Sequence, residues 1–176
     1  MASGAASALR LHACSPLRLC RYKSYDDITT QNDATETFFR PDGSLQADKV
    51  KALARTYARA VAGTPTAMAF NPTSATFELN FTAAAAPATC GEDSGFVTEV
   101  FLQLGYHYPS GYGASALVDG APVDVNGDGV GVGMVVAETG DHPVVGEWAV
   151  LAFTVDPGIV PAGARVTLRV ARKNWW

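Results

Sequence analysis

The chain has 176 residues, and it lacks lysine and arginine altogether between residues 60 and 164, where it carries eleven acidic residues. Nucleic acids and anionic lipid surfaces are bound through basic side chains. This stretch therefore argues against nucleic acid as a partner, and against binding to an anionic membrane leaflet.

Cysteine is also scarce, with Cys14, Cys20 and Cys90 as the only three. An odd, sparse count is not a disulfide framework, and the spacing matches no zinc motif. No apolar run approaches the roughly 18 residues of a membrane-spanning helix. We therefore predict a single domain of ordinary size without a cofactor.

The first 25 residues are basic, with Arg10, Arg18, Arg21 and Lys23 ahead of the first acidic residue, Asp26. Such a segment resembles an organellar transit peptide, and the alternative is an amino terminus that is poorly ordered or wrongly assigned. No secretory signal is evident, so the compartment stays open. Residues 26–41 are polar and aperiodic, which indicates a loop.

A helix is expected from Leu45 to Ala62. Ser44 is a suitable N-cap, Gly63 suits a left-handed C-cap, and Pro65 prevents continuation. One apolar stripe recurs at helical spacing: Leu45, Val50, Leu53, Tyr57 and Val61.

Beyond Pro65 the apolar period changes to two, beginning with a hairpin around Asn71–Ser74. Further strands are predicted at residues 96–103, 113–118, 121–125, 130–136, 147–155 and 165–171. The fold class is therefore mostly β, an antiparallel two-sheet β-sandwich of about seven or eight strands preceded by one α-helix. The predicted organisation is a targeting or disordered segment and loop at 1–41, a helix and domain seam at 42–63, a sandwich at 64–172 and a tail at 173–176.

Several segments resemble a known family. RPDGSL (40–45) and ALARTYARAVAGTPTAMAFNPTSATFELNF (52–81) are similar to the junction of endoglycosylceramidase-type enzymes of glycoside hydrolase family 5. TEVFLQ (98–103), YHYPSGY (106–112) and VTLRV (166–170) resemble later strands and a loop of the same C-terminal sandwich. The resemblance implies that the helix is a remnant of a catalytic barrel's last helix. It also implies a barrel partner, in cis or in trans, and glycosphingolipid as the substrate of the parent enzyme.

No catalytic residue is assigned. Retaining enzymes of this type use two glutamates at the ends of barrel strands, about 5 Å apart. Roughly forty residues precede the predicted helix, too few for a barrel, and no Asn-Glu pair occurs. Glu78 and Glu99 alternate with apolar residues, which places them on solvent faces of strands.

Aromatic residues cluster in one loop, which contains Tyr106, His107, Tyr108 and Tyr112. Aromatic faces stack on sugar rings, so these four are candidate carbohydrate-binding residues. The alternative, which we favour, is that they pack the loop against the sandwich.

Three weaker candidates complete the set. Asp124, Asn126 and Asp128 match the first ligand positions of a calcium loop, although a turn explains the same residues better. Trp175 and Trp176 are candidate membrane-interface anchors at the end of the chain. Asn80-Phe81-Thr82 is an N-glycosylation sequon.

Three functions are compatible with these patterns. The first is a non-catalytic accessory domain that supports a glycosidase barrel or its glycan or glycolipid substrate. The second is an independent carbohydrate- or lipid-binding module, and the third is a structural partner of a separately encoded barrel.

Overall fold

Strands dominate the part of the chain that the structure describes. The computed structural model describes residues 39–40, 42–85, 97–126, 132–142 and 146–173. The elements in chain order are α1 (Ala47–Leu53), β1 (Tyr57–Ala60), β2 (Gly63–Asn71), β3 (Thr76–Ala83), β4 (Val97–Gln103), α2 (Leu104–His107), β5 (Tyr112–Val118), β6 (Ala121–Val123), β7 (Val125–Asn126), β8 (Val132–Gly140), β9 (Trp148–Val155) and β10 (Arg165–Arg172).

The strands form two five-stranded sheets. The first sheet has the order β1-β4-β9-β8-β7, and the second has the order β2-β3-β10-β5-β6. Neighbouring strands pair antiparallel, except that the short β7 pairs parallel with β8. The two-sheet β-sandwich predicted from the sequence is therefore confirmed, and the described residues form ten strands where seven or eight were predicted.

The core lies between the sheets because alternate residues of the central strands point inward. Strand β3 contributes Phe77, Leu79 and Phe81, and β9 contributes Leu151 and Phe153; all are buried. Full burial of such a side chain contributes roughly 1.5–3 kcal/mol to folding. The two-residue period read from the sequence thus identifies the inward face correctly.

The predicted helix over Leu45–Ala62 is wrong in its second half. The helix ends at Leu53, and Tyr57–Ala60 is an edge strand that pairs antiparallel with β4. The change occurs because the extended backbone gains a ladder of hydrogen bonds and buries Thr56 and Ala58. Helix propensity is a weak preference of a few tenths of a kcal/mol per residue, so tertiary pairing overrides it.

The expected apolar stripe consequently does not form one helix face. Val50 is buried and Val61 packs against the core, while Leu53 and Tyr57 are exposed. Leu45 lies outside the helix, in an isolated bridge with Phe39.

The expected caps also differ. Gln46, not Ser44, occupies the N-cap, and the Ser44 hydroxyl instead donates to Asp42 Oδ1 over 2.6 Å. Gly63 lies in β2 rather than at a helix end. A Cβ at Gly63 would lie 2.1 Å from the Thr82 carbonyl oxygen, so glycine allows two strands to approach closely there.

The hairpin after the seam is confirmed. Asn71 Oδ1 accepts hydrogen bonds from the backbone N–H groups of Thr73 (2.9 Å) and Ser74 (3.3 Å), and the chain returns as β3. This is the Asx geometry for which asparagine is favoured in turns.

Among the described residues, no helix combines the length and the apolar character that a membrane span requires.

Candidate functional site

The aromatic loop holds the segment that enters the sandwich. His107 ends α2 and is fully buried, and its Nε2 is hydrogen-bonded to the Ala54 carbonyl oxygen, just past α1. Two residues on, Thr56 Oγ1 and the Tyr108 hydroxyl are 3.0 Å apart, and both side chains are buried. We call these two contacts the seam clamp, because they fix the connection between α1 and β1 to the body of the sandwich.

The loop is itself held by the last strand. Arg172 Nε donates to the His107 carbonyl oxygen over 2.9 Å, and the Lys173 N–H donates to the Gly111 carbonyl oxygen over 3.0 Å. The Phe70 and His107 rings also pack nearly perpendicular, at 79°, with centroids 4.8 Å apart. The seam clamp therefore connects the entry segment to β2 and β10 as well as to the loop.

Burial sets the protonation state of the clamp. It lowers the pKa of His107, and the nearby charges of Lys51 and Arg172 lower it further. The neutral imidazole can donate its Nε2–H to Ala54, while Nδ1 is buried without a hydrogen-bond partner among the described residues. Burial also raises the pKa of Tyr108, which keeps its hydroxyl protonated and able to pair with Thr56.

The four candidate sugar-binding residues do not share one exposed surface. His107 and Tyr108 are buried in the seam clamp, whereas Tyr106 and Tyr112 are half-buried. The Tyr108 and Tyr112 rings meet edge to face, 6.2 Å between centroids. A carbohydrate contact at this loop stays a prediction, and it falls on Tyr106 and Tyr112.

A second feature is a row of three aromatic rings on the outer face of the first sheet, which the sequence analysis missed. Phe101 of β4 lies between Tyr57 of β1 (centroids 5.2 Å apart) and Trp148 of β9 (5.8 Å), and adjacent rings are inclined by 29° and 25°. Gly140 makes room for the indole, since a Cβ there would lie 2.4 Å from Trp148. We call this row the ring ladder. Because these rings stack on one another, Tyr57 and Trp148 cover the two faces of the Phe101 ring. A sugar that stacked on Phe101 would need one of those faces.

An ion-pair bridge crosses the same face. Arg59 of β1 contacts Glu99 of β4 at 2.7 Å and Glu138 of β8 at 2.7 and 3.1 Å, the latter through both terminal nitrogens. Hydrogen bonds from Arg59 lower the pKa of Glu138, and the Glu138 and Glu99 carboxylates raise the pKa of Arg59. The bridge ties the edge strand β1 to β8 across two intervening strands.

These glutamates do not resemble a glycosidase pair. The general acid of such a pair needs a raised pKa, whereas that of Glu138 is lowered. Glu78 is exposed on the outer face of the second sheet, as its strand position predicts. The chemistry of these residues is that of surface ion pairs and solvated carboxylates.

The metal and anchor candidates are largely outside the described residues. Asp124 is exposed, but the side chain of Asn126 and all of Asp128 are not described, and neither are Trp175 and Trp176. Strands β7 and β8, on either side of the proposed calcium loop, pair parallel. Among the described residues, no three His, Cys, Asp or Glu side chains lie close enough to hold a metal.

Comparison with known proteins identifies the family. A family profile described as the glycoside hydrolase family 5 C-terminal domain matches residues 55–142, half of the chain. The chain belongs to this family. The matched region begins at the seam clamp and includes the aromatic loop, two ring-ladder residues and all three residues of the ion-pair bridge.

Similar solved structures include two crystal structures of sterylglucosidase 1 from Cryptococcus neoformans. The complex with tris is 21% identical, has a TM-score of 0.38, and the alignment covers 74% of this chain and 15% of that chain. The complex with a compound called hit 1 is 19% identical, with a TM-score of 0.39 and coverages of 75% and 15%. This chain thus spans about 15% of the length of those proteins. A comparison with curated proteins found no match.

Proposed function

We propose that this chain is a non-catalytic accessory domain that supports the catalytic barrel of a family 5 glycoside hydrolase, joined in cis or docked in trans. The observation that carries the proposal is the seam clamp. Thr56 and Tyr108 lie in the family-matched region, and the clamp fixes the amino-terminal entry of the sandwich. In a C-terminal domain, the polypeptide enters from the catalytic domain that precedes it. A rigid entry segment therefore fixes the position of the sandwich relative to the barrel.

The surface next to that entry carries exposed apolar side chains beside the ion-pair bridge, and these suit a docked protein. Leu53 is 40% exposed and Tyr57 is 44% exposed, and they lie just before and within the edge strand β1. Farther along the outer face of the first sheet, Val135 of β8 is 53% exposed. We call these three residues and the ring ladder the docking face. Aromatic residues at such surfaces contribute large apolar contact area with little conformational entropy to lose.

A trans-binding measurement tests the proposal. The chain is mixed with a family 5 barrel expressed without its own C-terminal domain, and association is followed by sedimentation velocity. Val135→Lys should abolish or weaken the complex by placing a charge on the docking face. Leu117→Lys is the matched control, because Leu117 is also an exposed aliphatic residue (38%) but lies on the second sheet. Absence of a complex, or equal effects of the two substitutions, argues against the proposal.

The proposal also includes contact of the aromatic loop with a glycan or glycolipid. Tyr106 and Tyr112 are half-buried, which leaves part of each side chain accessible beside the clamp. Binding of the chain to liposomes with and without glucosylceramide tests this part, with Tyr112→Ala as the variant. Equal binding to both liposomes would remove the glycolipid from the proposal while leaving barrel support intact.

A further inference from the structure

A polar groove lies on the outer face of the second sheet, away from the docking face. Its volume is about 490 Å³, within the range of small-molecule sites. Its polar lining comes from three strands and one turn: Thr66, Asn80, Thr82, Asp119, Arg165 and Thr167. The single aromatic residue of the lining, Phe81, is only 1% exposed and faces the core.

A β-bulge forms one wall of the groove. Pro65 pairs with Phe81 and Ala67 pairs with Asn80, so Thr66 is an extra residue in β2. Bulges redirect a side chain and interrupt the ladder. Here the Thr66 hydroxyl donates to the Asn80 carbonyl oxygen over 3.0 Å, which fixes the hydroxyl at the edge of the groove.

A tight turn forms the opposite wall. Asp119 and Gly120 both have positive φ, 48° and 85°, between the antiparallel strands β5 and β6. Asp-Gly is the pair that a two-residue hairpin of this kind requires. Asp119 Oδ1 accepts the backbone N–H of Arg165 over 2.9 Å. The carboxylate is therefore held in place at the groove, with its second oxygen available for a ligand.

Hydrogen bonds also order the floor. The Thr167 hydroxyl donates to Asn80 Oδ1 over 2.5 Å, and Asn80 Nδ2 donates to Glu78 Oε1 over 3.1 Å. These bonds orient the half-buried amide and hydroxyl before any ligand arrives. Preorganised polar groups lose little entropy on binding.

We propose that this groove binds a neutral saccharide. The Thr66 and Thr167 hydroxyls, whose protons are donated to Asn80, offer acceptor lone pairs, and the Thr82 hydroxyl can donate or accept. Arg165 donates and Asp119 accepts, so the groove presents both donors and acceptors to sugar hydroxyls. The formal charges of Asp119 and Arg165 cancel, which favours a neutral ligand over an anion or a cation. Because no aromatic face lines the groove, stacking contributes nothing and the affinity is expected in the millimolar range. Saccharide binding in this groove does not rest on the proposed support of a barrel.

The sugar can reach the groove from two sources. It can be a soluble or partner-borne glycan, or it can be an N-glycan attached to Asn80, which is the acceptor of the Asn80-Phe81-Thr82 sequon and part of the floor. Protein made in bacteria carries no N-glycan, so it isolates the first source. Protein secreted from eukaryotic cells, compared before and after enzymatic removal of N-glycans, reports the second.

The experiment is a two-dimensional amide NMR titration of the bacterial protein with methyl β-glucoside, cellobiose and lactose, and separately with inorganic phosphate. We expect saturable shifts confined to Thr66, Asn80, Asp119, Arg165 and Thr167. Thr167→Val should weaken binding roughly tenfold, the loss that corresponds to one good hydrogen bond. Thr154→Val is the matched control, because Thr154 is an exposed strand threonine on the other sheet.

Three outcomes are informative. Localised shifts with saccharide support a groove for free glycans. If only the glycosylated, secreted protein shows groove shifts that disappear when the glycan is removed, the ligand is the attached sugar. If neither protein shows them, if phosphate alone binds, or if the Thr154 variant loses binding equally, the proposal is overturned.

Discussion

The hydrogen bond between Thr56 and Tyr108 allows the seam clamp to be tested quantitatively. Both side chains are 2% exposed, and their oxygens are 3.0 Å apart. Tyr108→Phe leaves the threonine hydroxyl buried without its partner, which should lower the free energy of unfolding by about 1–3 kcal/mol. For a chain of this length, each kcal/mol lowers the melting temperature by about 2–4 °C.

The matching substitution is Thr56→Val, which should cost a similar amount because it leaves the Tyr108 hydroxyl unpaired. The double variant replaces both partners with apolar groups, so it should be less destabilised than the sum of the single variants. The coupling energy expected from this double-mutant cycle is about 1–3 kcal/mol. Urea unfolding followed by circular dichroism measures all four proteins. Additive effects, or a neutral Tyr108→Phe, would refute the clamp.

Three further predictions concern His107, the ion-pair bridge and Gly63. Burial lowers the pKa of His107, so the contribution of the neutral imidazole to the free energy of unfolding should be fully present above about pH 6.5. That contribution should be lost as the pH falls through the folded-state pKa. His107→Phe should remove this part of the pH dependence, which urea unfolding at several pH values would measure. Arg59→Met should raise the lowered pKa of Glu138 toward its ordinary value, which carboxylate NMR titration would detect; an unchanged value would argue against the ion-pair bridge. Gly63→Ala should destabilise the chain by about 1–3 kcal/mol because a Cβ would collide with a neighbouring backbone carbonyl, whereas Gly113→Ala has open space and should be tolerated in the same melt.

The sandwich was predictable because its strands carry strong local signals. In β3, Phe77, Leu79 and Phe81 alternate with polar residues, and the Asn71 turn precedes them. Such patterns arise from the geometry of a half-buried strand, in which successive side chains face opposite sides. The position of the Asn71 turn is likewise a local signal, because asparagine favours turns.

The edge strand β1 was not predictable from local pattern. Tyr57 and Val61 fit a helical spacing, and alanine, lysine and arginine favour helices. The deciding contacts are distant in sequence: Tyr57 pairs with Phe101, and Arg59 meets Glu99 and Glu138. In the structure, buried and exposed residues alternate over residues 56–59, with Thr56 and Ala58 buried. The sequence Thr-Tyr-Ala-Arg shows no such apolar alternation, so it carries no strand signal.

The sequence drew attention to the aromatic loop and favoured packing of its residues against the sandwich. The structure buries His107 and Tyr108, while sugar binding by the loop stays a prediction. Their partners Ala54 and Thr56 could not be found from sequence, since the expected helix placed them on another surface. The polar groove depends on a bulge and a turn that bring together separate strands, which no local motif encodes.

We propose that this chain supports a catalytic barrel without supplying chemistry. The most direct measurement is the rate of thermal inactivation of a family 5 barrel that lacks its own C-terminal domain, with and without saturating amounts of this chain. We expect slower inactivation with the chain, loss of that protection with Val135→Lys and its retention with Leu117→Lys. An inactivation rate that the chain does not change, or equal protection by both variants, would contradict it.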